Sequence, residues 1–167
     1  MGNIQFYNEK VLFTADQKVA MHEGCCCGQV TCSCCDGGVG PEEFLVTIDG
    51  MAEKAEPHQC GFCENLNDNY VLAYDGEAGN GCVWSGTVAP PVCGVAWITL
   101  YIDCTDQTIT VEIGQIGPYT AMRWQKDYSP NDPDCVNLSN ESLPLVYNNS
   151  ALIYCDGSSA TCSITAL

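Results

Sequence analysis

Apolar residues recur at every second position along this chain, in short blocks separated by turn-forming dipeptides. Phe44, Val46 and Ile48 share one face of the block 44–48. In the block 95–102, Ile98, Leu100 and Ile102 alternate with Trp97, Thr99 and Tyr101, which gives one aliphatic face and one aromatic-polar face. Ile109, Val111 and Ile113 alternate with Thr108, Thr110 and Glu112. Further blocks at 70–74, 82–85, 119–125, 143–147, 151–155 and 162–166 bring the expected strand count to about nine. Asp75-Gly76, Asn80-Gly81, Gly117-Pro118 and Asp156-Gly157 supply the turns between them. No stretch carries an apolar stripe at helical spacing. Residues 41–167 are therefore expected to form an all-β domain, an antiparallel β-sandwich or jelly roll. The segment 128–143 has no periodicity and reads as a long loop tethered by Cys135.

The pattern is different before residue 41. Residues 1–24 contain three short strand-like runs, at 4–7, 11–14 and 18–21, broken at Asn8-Glu9 and Ala15-Asp16-Gln17. Strands of this length cannot bury a core of their own. They read as a short N-terminal strand-rich arm that lies against the main domain or pairs with the sheet edge of another chain. Between arm and domain, residues 25–40 hold Cys25, Cys26, Cys27, Cys32, Cys34 and Cys35 in one glycine-punctuated segment. That segment can be neither a regular helix nor a buried strand, and it reads as a cross-linking or metal-binding knot.

Composition narrows the functional field. The 167 residues suit one globular domain with appendages, and a hydrophobic content of 46% is too high for a disordered acidic polymer. With 21 Asp and Glu against 5 Lys and Arg, the net charge of -16 leaves no basic footprint for nucleic acid and would be repelled by an anionic membrane. The 14 cysteines, an even number, favour disulfides and an oxidising final environment. The N-terminus nevertheless lacks the basic start and apolar block of a signal peptide, and no later stretch is long and apolar enough to span a bilayer. Three origins reconcile these facts: a processed mature chain, a cytosolic metal binder, or a protein made in a cytoplasm and later released from it.

Two cysteine chemistries compete. Hairpin geometry around Asp156-Gly157-Ser158-Ser159 would bring Cys155 beside Cys162, and Cys82 and Cys93 similarly bracket 86–91, so both pairs are candidate disulfides. The alternative centres on His58, Cys60 and Cys63, an imidazole and two thiols in one tight turn, because Cys-x-x-Cys is a recurrent zinc half-site. The same spacing also arises as two independent disulfide ends. Disulfides without a cofactor are the expected state, with zinc as the competing reading. Carboxylates in the loops 103–106 and 131–134 lack the spacing of a calcium loop and read as solvated turns. Only His22 and His58 could serve as an imidazole base, no nucleophile signature accompanies either, and a strongly acidic chain raises thiol pKa values. The chain is expected to be non-enzymatic.

The opening FYNEKVLFTADQKVAMHEGCCCG resembles the start of small structural proteins of tailed-bacteriophage virions, and the block CENLNDNYVLAYDGEAGNGCVWSG at 63–86 with CGVAWITLYID at 93–103 is similar to cysteine-rich β-sandwich domains of bacterial and phage proteins. The resemblance implies a virion structural protein, such as a capsid decoration protein or a tail or fibre component. Its expected partners are other virion proteins and copies of itself in a homo-oligomer, and its expected location is the virion. Lysis would then deliver it to an oxidising exterior without a signal peptide. The alternative is a secreted or surface module, disulfide-rich and extracellular, that binds carbohydrate through Trp84, Trp97, Tyr101, Tyr119 or Trp124, although such aromatics are more often core or cross-strand packing residues.

Overall fold

Each block of period-two alternation becomes a strand whose apolar set faces a common interior. The computed structural model describes residues 5–7, 10–12, 41–57, 59–79, 81–115, 119–128 and 138–167. In chain order the strands are β1 (Gln5–Tyr7), β2 (Lys10–Leu12), β3 (Glu43–Asp49), β4 (Ala52–Glu53), β5 (Asn69–Ala78), β6 (Gly81–Val92) and β7 (Val95–Asp103). They continue as β8 (Thr108–Gln115), β9 (Thr120–Asp127), β10 (Glu141–Leu143), β11 (Leu145–Asn148), β12 (Cys155–Asp156) and β13 (Thr161–Ala166). A 3-10 turn at Cys63–Leu66 and one helical turn, α1 (Ser150–Ile153), complete the described elements. The all-β antiparallel class is as expected from the sequence.

Nine strands hydrogen-bond into one sheet, in the order β10-β13-β3-β5-β6-β7-β8-β9-β11. The two layers over the core are halves of this single sheet, which rolls until its edges nearly meet. The seam is a single stretch of chain. Residues 141–143 pair with β13 at one edge, residues 145–148 pair with β9 at the other, and only Pro144 separates them. Proline cannot donate to a ladder, so it suits the residue at which the chain changes partner. Its carbonyl accepts the Gln125 N–H at 3.0 Å. Lys126 of β9 also pairs with Glu141 of β10 across the seam.

The interior holds the residues that parity placed there. Phe44, Val46 and Ile48 of β3, Ile98, Leu100 and Ile102 of β7, and Ile109, Val111 and Ile113 of β8 are all buried. Trp84 packs edge-on against Phe44 with ring centroids 4.8 Å apart, and its indole N–H donates to the Pro41 carbonyl at 2.9 Å. Trp124 is likewise buried, and its indole N–H donates to the Ala160 carbonyl at 3.1 Å. Each buried indole therefore keeps its one donor satisfied, which burial requires.

Three expectations change in detail. The block 143–147 divides at Pro144 for the reason just given. The block 151–155 is not a strand: α1 turns the chain away from the seam, Tyr154 at φ 55 ends it in the left-handed region, and only then does β12 begin. β6 does not break at 86–91 but runs on to Val92, with a register shift between Thr87 and Val92 that takes Pro90 and Pro91 off the ladder. The β6–β7 reversal comes instead at Cys93 (φ 52) and Gly94 (φ 86). The expected arm strand at 18–21, the knot with Cys25, Cys26, Cys27, Cys32, Cys34 and Cys35, and Cys135 all lie outside the described residues.

Candidate functional site

Three turns at one end of the rolled sheet converge on a cluster of sulfur. The first is the turn from Cys60 to Cys63. Gly61, at φ 86, takes the left-handed conformation it needs, and the Glu53 carboxylate on β4 clasps it. That carboxylate accepts backbone N–H groups from Cys63 at 2.7 Å, Gly61 at 3.0 Å and Cys60 at 3.1 Å. The N–H of Cys63, followed by that of Gly61, holds the Glu53 carboxyl below its ordinary value of 4.5, against a smaller upward push from burial. The second turn is the β6–β7 tip at Cys93-Gly94. The third is the short ladder between β4 and β12, in which Cys155 stands opposite Glu53.

These turns bring Cys60, Cys63, Cys93 and Cys155 together, with all four sulfur atoms within 4.8 Å of one another. They form two disulfides, Cys60–Cys93 and Cys63–Cys155, whose Cα separations are 5.5 and 5.6 Å. The two bridges touch: Cys63 Sγ lies 3.7 Å from Cys93 Sγ. Cys63 and Cys155 are fully buried, while Cys60 and Cys93 are partly exposed.

Both expected pairings are thereby corrected. Cys82 and Cys93 stand at opposite ends of β6, and at about 3.3 Å per residue a strand of that length keeps them far apart. Cys155 and Cys162 are close in sequence but belong to different ladders, since β12 pairs with β4 and β13 pairs with β3 and β10. Cys162 is a free, buried thiol, and burial pushes its pKa up to about 12, so it is neutral and unreactive at pH 7. Of the candidate metal turn, Cys60 and Cys63 are both in the cluster but engaged in disulfides, and His58 lies outside the described residues. Sequence reading missed Cys93 and Cys155 as their partners. The Cys-Gly pair at 93–94, a turn signal beside a thiol, was the available hint. Cys104 is also disulfide-bonded.

The other expected binding features separate cleanly. Trp84 and Trp124 belong to the core. Trp97 and Tyr101 are half-buried, with the Trp97 N–H donating to the Gln115 carbonyl and the Tyr101 hydroxyl to the Ala78 carbonyl. Tyr119 alone of the five is well exposed, at 62%. It lines a depression of about 340 Å³ with Thr120, Arg123, Tyr147, Asn149 and Leu152. There Glu112 accepts from both Arg123 and Thr120, which orients the arginine. In the loop after β7, Asp103 accepts the N–H groups of Thr105 and Asp106, both at 2.8 Å, so its carboxylate serves as a turn former. Comparison with protein-family models, with curated proteins and with solved structures finds no match for this chain.

Proposed function

We propose that this chain is a non-enzymatic structural protein of a tailed-bacteriophage virion, a decoration or tail or fibre component that docks through its N-terminal arm. One observation supports the docking role: among the described residues, β1 and β2 pair antiparallel with each other and share no ladder with the nine-stranded sheet. Two strands of three residues each cannot bury a core of their own, so such a pair draws its stability from a surface it packs on. The rolled sheet suits the other half of the role. Its edge strands β10 and β11 are only three and four residues long and nearly meet at the Pro144 seam, which blunts the edges that would otherwise invite aggregation in a crowded lattice. The two disulfides at its end fit a protein that works in an oxidising exterior.

A chain beginning at Pro41 tests this reading. It should keep its β signature in circular dichroism yet lose association with copies of the full chain and with particles. Unchanged association would contradict the docking role. A second reading, an extracellular carbohydrate-binding module, is favoured by the depression where Tyr119 and Tyr147 stand exposed beside Arg123 and Asn149. Under that reading the shortened chain would still bind glycans, and Tyr119→Ala would abolish the binding.

A further inference from the structure

We propose that, when its two disulfides are reduced, the cluster of Cys60, Cys63, Cys93 and Cys155 binds one zinc ion as a closed tetrathiolate site. The inference rests on thiol geometry and not on the virion reading. A tetrahedral Zn–S4 unit with bonds of about 2.3 Å has sulfur–sulfur edges of roughly 3.8 Å. The four sulfurs here all lie within 4.8 Å of one another, and one pair between the two bridges already stands at 3.7 Å. Small side-chain rotations that part the bonded sulfurs would therefore complete the tetrahedron around a central ion.

The supporting backbone does not depend on the disulfides alone. The Glu53 carboxylate holds the Cys60–Cys63 turn through three N–H groups, the β6–β7 ladder holds Cys93 at its tip, and the β4–β12 ladder holds Cys155. Two ligands from one Cys-x-x-Cys turn and two from other turns make the donor set of a structural zinc site. Four thiolates leave no open position for substrate, and their softness selects zinc over calcium or magnesium.

The exchange balances. A dithiol reductant delivers two electrons and two protons to each bridge and leaves as a cyclic disulfide, so two dithiols yield four protein thiols. Zinc binding then releases the four thiol protons. In the opposite direction, a disulfide-class oxidant takes four electrons from the four thiolates, restores both bridges and frees the ion. The same residues would thus brace this end of the fold with metal in a reducing compartment and with covalent bonds outside it.

The test uses the full chain with Cys25, Cys26, Cys27, Cys32, Cys34 and Cys35 replaced by serine, reduced with a phosphine under inert gas. Cobalt(II) added to it should give the charge-transfer and red d–d absorption of a tetrahedral tetrathiolate, saturating at one equivalent and displaced by one equivalent of zinc. Loss of a mere outer-sphere partner costs about 10- to 100-fold in metal affinity. Adding Cys93→Ser and Cys155→Ser, which deletes two ligands, should therefore cost about a hundredfold or more. Alkylation mapped by mass spectrometry provides a readout that needs no substitution. In the unsubstituted reduced chain, excess zinc should shield Cys60, Cys63, Cys93 and Cys155. Absence of the tetrathiolate spectrum, or alkylation of these four undiminished by zinc, overturns the inference.

Discussion

Replacing Cys63 and Cys155 together with alanine is expected to destabilise the oxidised protein by about 3 to 4 kcal/mol. The bridge joins residues 92 apart in sequence, and the loop-closure entropy it removes from the unfolded chain corresponds to about 4.6 kcal/mol. Measured values usually fall below that ideal, whereas two emptied positions in a fully buried site add a cavity cost. The Cys60–Cys93 bridge closes a shorter stretch of 33 residues, for which the same reasoning gives about 3.7 kcal/mol. Because the two loops overlap, losing both should cost less than the sum. Urea unfolding measures the effect: the midpoint should fall while the slope holds or rises, as the unfolded chain becomes freer to expand. A loss below about 1 kcal/mol would mean that this bridge does not constrain the chain.

Trp84→Ala is expected to cost about 3 to 5 kcal/mol, near the whole stability of a marginal domain. The indole is fully buried at the middle of the sheet, on β6 between Leu100 of β7 and Tyr74 of β5. Its ring meets Phe44 at 4.8 Å and Tyr74 at 5.5 Å, both edge-on. Alanine would leave a large cavity and also remove the N–H that satisfies the Pro41 carbonyl where the chain enters β3. Trp84→Phe separates the two contributions. It keeps most of the ring packing and gives up the hydrogen bond, so its cost should be clearly smaller. Equal losses for the two variants, measured by chemical denaturation, would contradict the packing role.

The strands were legible in the sequence because parity is a local property. Phe44, Val46 and Ile48 had to share a face whatever β3 paired with, and the same holds for the alternating sets of β7 and β8. Partner choice is not local, and there the sequence misled. Nearness along the chain suggested Cys155 with Cys162 and Cys82 with Cys93. The true partners follow from ladders that bring residues 60, 93 and 155 to one end of the sheet. Residues 86–91 read as the connection between strands, yet β6 runs through them to Val92 with a register shift. Closure of the sheet at Pro144 was equally hidden, since it needs both edges to arrive at the same eight residues from opposite sides. For the aromatics, packing in the core or across strands was the stronger expectation, and it holds for Trp84, which shares the inward face of β6 with Cys82 and pairs with buried Leu100.

The convergence of three turns on one sulfur cluster is tested most directly by peptide mapping of the unreduced, alkylated protein by mass spectrometry. The expected result is cross-linked peptides joining Cys60 to Cys93 and Cys63 to Cys155, with Cys162 recovered as a free thiol. Recovery of Cys155 joined to Cys162, of Cys82 joined to Cys93, or of Cys60 joined to Cys63 would contradict it.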